Sequence, residues 1–245
     1  MIQARVRRVV LVVSIARASV VAVITVALPA CACSEASTPA ATAVTTSAAS
    51  SSRFVALGDS FTAGTGSMPA QAFPARLVAR WGCPNGPELE DLGVNGFTSQ
   101  QVIEVELGEL RRFAPQVVTL AIGANDIVQG VDEPTYRAHV RKILAAVVAA
   151  GVTRIVTIPQ PDWSKSPAAQ AFGSPDALHA SIVAENAVLA AETARVHGEY
   201  VDLFPLMERQ AAAHMLARDG LHPSAAAYDE WAAALATQVA APCAR

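Results

Sequence analysis

Charge is scarce in this sequence. Asp, Glu, Lys and Arg make up 16% of the 245 residues, with a formal net of −3. No cluster of Lys and Arg interleaved with aromatics occurs, which argues against nucleic acid as a partner. Several chemistry-bearing strings are also missing. Without Gly-x-Ser-x-Gly there is no nucleophile elbow of the α/β-hydrolase kind. His-Glu-x-x-His and the Walker A string are absent, and Gly64-Thr65-Gly66 lacks the third glycine of a dinucleotide fingerprint. No grouping of His, Cys and carboxylates has the spacing of a metal site. The expectation is a protein with no cofactor and no metal.

Cysteine is rare too, and its placement is informative. Cys31 and Cys33 lie close to an N-terminal segment unlike the rest of the chain; Cys83 and Cys243 lie far apart. In residues 1–33 the only charged side chains are Arg5, Arg7, Arg8 and Arg17, and Ala18–Pro29 carries none. A basic region, a short apolar run and small residues at a cut describe a secretory signal. The rival is an uncleaved anchor over Val9–Ala30, in which Arg17 would cost roughly 2.5–3.5 kcal/mol on insertion scales. Ala30-Cys31-Ala32 suits an ordinary cut before Cys33, while Leu28-Pro29-Ala30-Cys31 resembles a lipoprotein cleavage box. Membrane association is expected only through such an N-terminal lipid anchor.

Residues 34–52 are almost entirely Ser, Thr and Ala. Such a stretch cannot bury enough apolar surface to offset its ordering entropy and reads as a disordered spacer. With the four signal arginines removed, 14 basic residues face 21 acidic ones, a net of −7. The even pair Cys83 and Cys243 in an exported chain reads as a disulfide, with two free thiols as the alternative.

Residues 53–245 form the domain. Phe54–Leu57 and Val117–Ile122 are apolar runs of strand length; Arg154–Ile158 and Tyr200–Phe204 also read as strands, with a weaker strand at Leu89–Val94. Asp132-Glu133-Pro134 opens a helix carrying Tyr136, Val140, Ile143, Leu144 and Val147 at helical spacing, with Gly151 just past its end. Ser174-Pro175 opens a second, bearing Leu178, Ile182, Leu189 and Val196 and closed by Gly198. Pro223 begins an Ala-rich last helix to about Ala240. Strands alternating with helices imply right-handed crossovers and a parallel sheet covered on both faces. The fold class is α/β: a three-layer α/β/α, flavodoxin-like domain with five strands.

In such a sheet the turns after the strands share one edge, where ligands bind. Ser60 follows the first strand, Gly96 the second and Asn125 the third; Pro159–Trp163 follow the fourth, and Asp219-Gly220-Leu221-His222 the fifth. Serine is a poor nucleophile without an adjacent base. His222 can accept its proton, and Asp219 can hold the other ring nitrogen. The backbone N–H groups of Ser60 and Gly96 and the Asn125 amide can face a developing oxyanion. Asp59 and Asp126 read as structural, tying down their turns. His139, His179, His197 and His214 have no motif context and read as ordinary helix or surface histidines.

Ser60 in GDSF, Gly96 in GVNGFTS, Asn125 in GAND and His222 in DGLHP resemble the four blocks of the SGNH (GDSL) hydrolases, in order, from Phe54 to about Trp231. The resemblance implies an exported esterase or lipase working through an acyl-enzyme on Ser60. The expected substrate is a small-molecule, lipid or glycan ester, and a monomer is expected. Two alternatives keep the sequence features: an acyltransferase using the same residues on a sugar or lipid acceptor, and a lipoprotein that binds an acylated envelope ligand without turnover. Phe61, Phe97, Ile127, Val128 and Trp163 are the residues expected to line the mouth.

Overall fold

The computed structural model describes residues 52–243. The expected signal and all but the last residue of the expected spacer lie outside the described residues. Five parallel strands run in the order β2-β1-β3-β4-β5: β1 Arg53–Gly58, β2 Glu88–Asp91, β3 Val117–Ala121, β4 Arg154–Thr157 and β5 Glu199–Tyr200. The helices are α1 (Ser60–Ala63), α2 (Phe73–Trp81), α3 (Ser99–Gln101), α4 (Leu107–Phe113), α5 (Ala124–Gln129), α6 (Glu133–Ala149), α7 (Pro175–Arg195), α8 (Phe204–Ala212) and α9 (Ala225–Gln238). One π-helical turn, Val102–Glu106, joins α3 to α4.

Side-chain alternation along the strands sorts the core into two halves. Phe54 and Ala56 of β1 and Val117 and Ala121 of β3 face a cluster completed by Phe73 and Leu77 of α2 and Tyr228, Trp231 and Leu235 of α9. Val55, Leu57, Val118 and Leu120 face the other, with Leu110 of α4 and Tyr136, Val140, Ile143, Leu144 and Val147 of α6. Helix α7 gives Leu178 and Ile182 to the first half and Val188 and Leu189 to the second. The three-layer α/β/α expectation holds. In the order 2-1-3-4-5 the chain reverses direction across the sheet between β1 and β3, and ligand crevices form there, outside the carboxyl ends of the strands.

Several boundaries differ from the sequence expectation. β2 ends at Asp91 rather than Val94; just beyond it the Asp91 carboxylate accepts the Gly93 N–H at 3.1 Å. β5 has two residues; Asp202 accepts the Phe204 N–H at 3.0 Å, and α8 starts there with Pro205 in its first turn. The last helix begins two residues after Pro223, with the Ser224 hydroxyl capping the Ala227 N–H. Gly151 takes the expected left-handed conformation, at φ 77°. After α7 it is His197, not Gly198, that turns left-handed, at φ 56°.

Cys83 and Cys243 are joined in a disulfide, Cα–Cα 5.2 Å. It ties the chain after α9 to the turn after α2. The Trp81 indole reinforces the junction by donating to Val239 O at 3.0 Å. No helix among the described residues is long and apolar enough to cross a membrane.

Candidate active site

Ser60 opens α1 directly beyond β1. Asp59 is its N-cap, and its carboxylate accepts the Phe61 N–H at 2.9 Å. Asp59 is fully buried; burial pushes its carboxyl up to about 7 against that hydrogen bond, and the nearby Asp126 adds to the rise.

Asn125 sits in the first turn of α5, beyond β3, and its side-chain amide donates to Phe97 O at 3.0 Å. That bond ties the Gly96–Phe97 turn to the β3 end and uses one of the two amide hydrogens of Asn125. Gly96 stands at φ 86° with nothing within 4 Å of the place a Cβ would occupy. Asp126 completes the tether by accepting from Ser99 N–H at 2.9 Å and from Ser99 Oγ at 2.5 Å. His139 Nδ1 lies 2.9 Å from the same hydroxyl. Burial raises the Asp126 carboxyl, and the Ser99 bonds oppose this. Asp59 and Asp126 are thus turn-fixing residues, as the sequence suggested.

His222 and Asp219 share the turn before α9. Asp219 Oδ2 meets His222 Nδ1 at 2.8 Å, while Oδ1 accepts the N–H groups of Leu221 and His222, both at 3.0 Å. Partial burial works to raise the Asp219 carboxyl, but these bonds outweigh it and hold it below the usual carboxylate range. The carboxylate therefore stays charged and gives His222 a fixed acceptor at Nδ1, which leaves Nε2 as the ring's free face. Phe61 packs on the imidazole with ring centroids 5.5 Å apart. Gly66, at φ 86°, lets the segment after α1 approach this turn: a Cβ there would fall 2.5 Å from Ala217 Cβ and 3.2 Å from Asp219 Oδ2. Gly66 thereby has a packing explanation.

Ser60, Asn125 and His222 line one cavity of about 70 Å³, walled by Phe61, Ala124, Val128, Trp163, Phe172 and Leu221. Ser60 and His222 are both buried. No hydrogen bond links Ser60 to His222 among the described residues; such bonds are often long in an enzyme without substrate and tighten on binding. Of the expected mouth residues, Phe61, Val128 and Trp163 line this cavity and Phe97 and Ile127 do not. Ala124, Phe172 and Leu221 line it as well, outside the expected set, although Leu221 adjoins His222 and Ala124 adjoins Asn125. Trp163 is held by its indole N–H on Gln160 Oε1 at 2.9 Å, and Gln160 exchanges two backbone bonds with the Asn186 side chain. His179 Nδ1 pairs with Asp162 at 3.1 Å. No group of three or more His, Cys, Asp or Glu among the described residues could hold a metal ion.

No curated protein matches the chain. Among solved structures, the chain is similar to TesA, at 21% identity with a TM-score of 0.60, over 75% of this chain and 95% of that one. It is similar to Axe2, an acetylxylan esterase from Geobacillus stearothermophilus, at 19% identity and TM-score 0.61, over 76% and 93%. A lipolytic G-D-S-L protein from Veillonella parvula aligns at 18% identity and TM-score 0.63, over 77% and 98%. These likenesses establish the fold. The model of the GDSL-like lipase/acylhydrolase family matches residues 56–230, a span that holds Ser60, Gly96, Asn125, Asp219 and His222. The chain belongs to the GDSL-like lipase/acylhydrolase family.

Proposed function

We propose that the chain is an exported serine hydrolase that cleaves carboxylic esters through an acyl-enzyme on Ser60. The observation that carries this reading is that His222, held by Asp219 at 2.8 Å, lines the same cavity as Ser60 and Asn125. In the first half-reaction Ser60 Oγ attacks the ester carbonyl and His222 takes the hydroxyl proton. Negative charge gathers on the carbonyl oxygen, where the Ser60 and Gly96 N–H groups and the Asn125 amide are the candidate donors. His222 then returns the proton to the departing alcohol. Water enters, gives a proton to His222 and attacks the acyl carbon; the acid leaves and Ser60 regains its proton.

A small cavity walled by Phe61, Val128, Trp163, Phe172 and Leu221 supports a short acyl group. The similarity to an acetylxylan esterase agrees with that choice. Export rests on the basic and apolar N-terminal segment and on the Cys83–Cys243 bridge, since disulfides persist in oxidising compartments. The test is hydrolysis of p-nitrophenyl esters of increasing chain length by wild type and Ser60→Ala. Expected is a maximum at acetyl to butyryl and loss of turnover in the variant. Dominant hydrolysis of octanoyl or longer esters contradicts the short-chain assignment; full activity in Ser60→Ala contradicts the mechanism.

A further inference from the structure

The turn that carries Ser60 contains a hydrogen bond that neither the sheet nor the helix supplies. Beyond Asp91 the chain stays beside β1: Leu92 N–H donates to Ala56 O at 2.9 Å and Val94 N–H to Gly58 O at 3.1 Å. In an unbroken parallel ladder the rung between these two has the Gly58 N–H donating to Leu92 O. Here the Gly58 N–H instead donates to Glu106 Oε2, at 3.0 Å, from a side chain 48 residues along the chain. Glu106 is buried, with 1% of its surface exposed.

Glu106 reaches this position through the π-helical turn Val102–Glu106, in which the Leu107 N–H reaches back five residues to Val102 O. Single π-turns are uncommon and frequent at functional sites. Gly58 itself has no latitude. It stands at φ 146°, and a Cβ would fall 2.1 Å from Ala121 O, so the peptide is wedged against the end of β3. Thr62 Oγ1 closes the turn from the helix side by donating to Leu57 O at 3.3 Å. Gly58 is two residues before Ser60, and Asp59 between them is the α1 cap. A shift of the Gly58 peptide therefore moves both the Ser60 N–H and its Oγ.

We propose that Glu106 is a positioning residue for the nucleophile: its buried carboxyl replaces the missing ladder rung, holds the Gly58 N–H, and so fixes the strand-to-helix turn that presents Ser60. The acids facing Glu106 are Asp59 and Asp91, and both press on it electrostatically. Burial, before those neighbours, pushes its carboxyl up to about 9, so Glu106 is a neutral acid in the working range. A neutral carboxyl accepts the Gly58 N–H through its carbonyl oxygen, and a glutamine can do the same.

The proposal rests on the esterase reading of Ser60, and its test separates the two. Wild type, Ser60→Ala, Glu106→Ala, Glu106→Asp and Glu106→Gln are assayed with p-nitrophenyl acetate and with a fluorophosphonate that labels reactive serines. Assays run at a temperature where circular dichroism shows each variant folded. Glu106→Ala is expected to lose about 10- to 100-fold in kcat with KM within about twofold, and to label Ser60 more slowly by a similar factor. Glu106→Gln is expected within about fivefold of wild type, since it keeps the acceptor. If Glu106→Ala does not fold, Glu106→Asp takes its place, because a chain one methylene shorter withdraws the carboxyl from Gly58; it is expected to fall well below Glu106→Gln. Wild-type kcat and labelling in Glu106→Ala, or in Glu106→Asp where the alanine variant is unfolded, overturn the proposal. So does a Glu106→Gln variant as slow as either. Failure of the parent reading looks different: Ser60→Ala then hydrolyses the ester as well as wild type.

Discussion

Replacing Asp219 by asparagine tests the electrostatic half of the site with little disturbance of its shape. The amide oxygen can keep the two 3.0 Å bonds from the Leu221 and His222 N–H groups, so the turn stays folded. The change falls on the 2.8 Å contact to His222 Nδ1. A carboxylate accepts there and fixes the proton on Nδ1, leaving a lone pair at Nε2 for the Ser60 proton. An amide NH₂ at the same place is a donor, so the ring must put its proton on Nε2 and the base is lost. In the Ser-His-Asp triad of serine proteases the same change lowers kcat by about 10⁴, and that loss carries over by analogy. It corresponds to about 5.4 kcal/mol of transition-state stabilisation at 1.36 kcal/mol per decade. The assay is steady-state hydrolysis of p-nitrophenyl acetate at pH 7, with circular dichroism on the same samples. KM is expected to change little, since Asp219 does not line the cavity. A folded Asp219→Asn variant within about tenfold of wild-type kcat would refute the assignment of His222 as a base oriented by Asp219.

Asn125→Ala removes one oxyanion donor and the tether to Phe97 O, and should lower kcat by about 10²–10³ in steady-state assays with KM little changed. Reduction of the Cys83–Cys243 bridge should shift the urea midpoint downward. The loop of 160 residues sets an upper figure of about 5 kcal/mol in the chain-entropy model; an unchanged midpoint after verified reduction contradicts a stabilising role. Glu106 has its folded-state carboxyl raised from 4.5 to about 9, so its contribution to stability is fully present below pH 4.5 and is lost as pH rises toward 9. The limiting slope is about 1.4 kcal/mol per pH unit for one proton. Glu106→Gln should therefore flatten the fall of the urea midpoint between about pH 5 and pH 9; an identical pH dependence in the two proteins contradicts a buried neutral acid.

Much of this was legible in the chain because local chemistry and global fold agree. Phe54–Leu57 is apolar on both faces and lies on an interior strand between β2 and β3, where both faces are covered. Asp132 and Ser174 cap the helices they announce, each with proline in the first turn. The turns bearing Ser60, Asn125 and His222 could be placed at one edge because a parallel sheet puts them there. Other features needed coordinates. Asp202 and Pro205 announce the start of α8 and cut β5 short, but Val201 and Leu203 beside them are apolar enough to read as strand. Glu106 stands in no motif, and no residue near it in the chain announces its partner. Only the π-turn shows that it points inward, and only the interrupted β1–β2 ladder shows what it replaces. The pairing of His139 with Ser99 and of His179 with Asp162 likewise crosses elements and leaves no trace in sequence spacing.

The central claim is that Ser60 is a nucleophile activated by His222. Its most direct test is to incubate the folded protein with a fluorophosphonate, digest it and locate the adduct by mass spectrometry. The account predicts one stoichiometric adduct on Ser60, formed at least about 10³-fold more slowly in His222→Ala, where the serine lacks its base. An adduct on any other residue, or labelling of Ser60 at the same rate with and without His222, would contradict it.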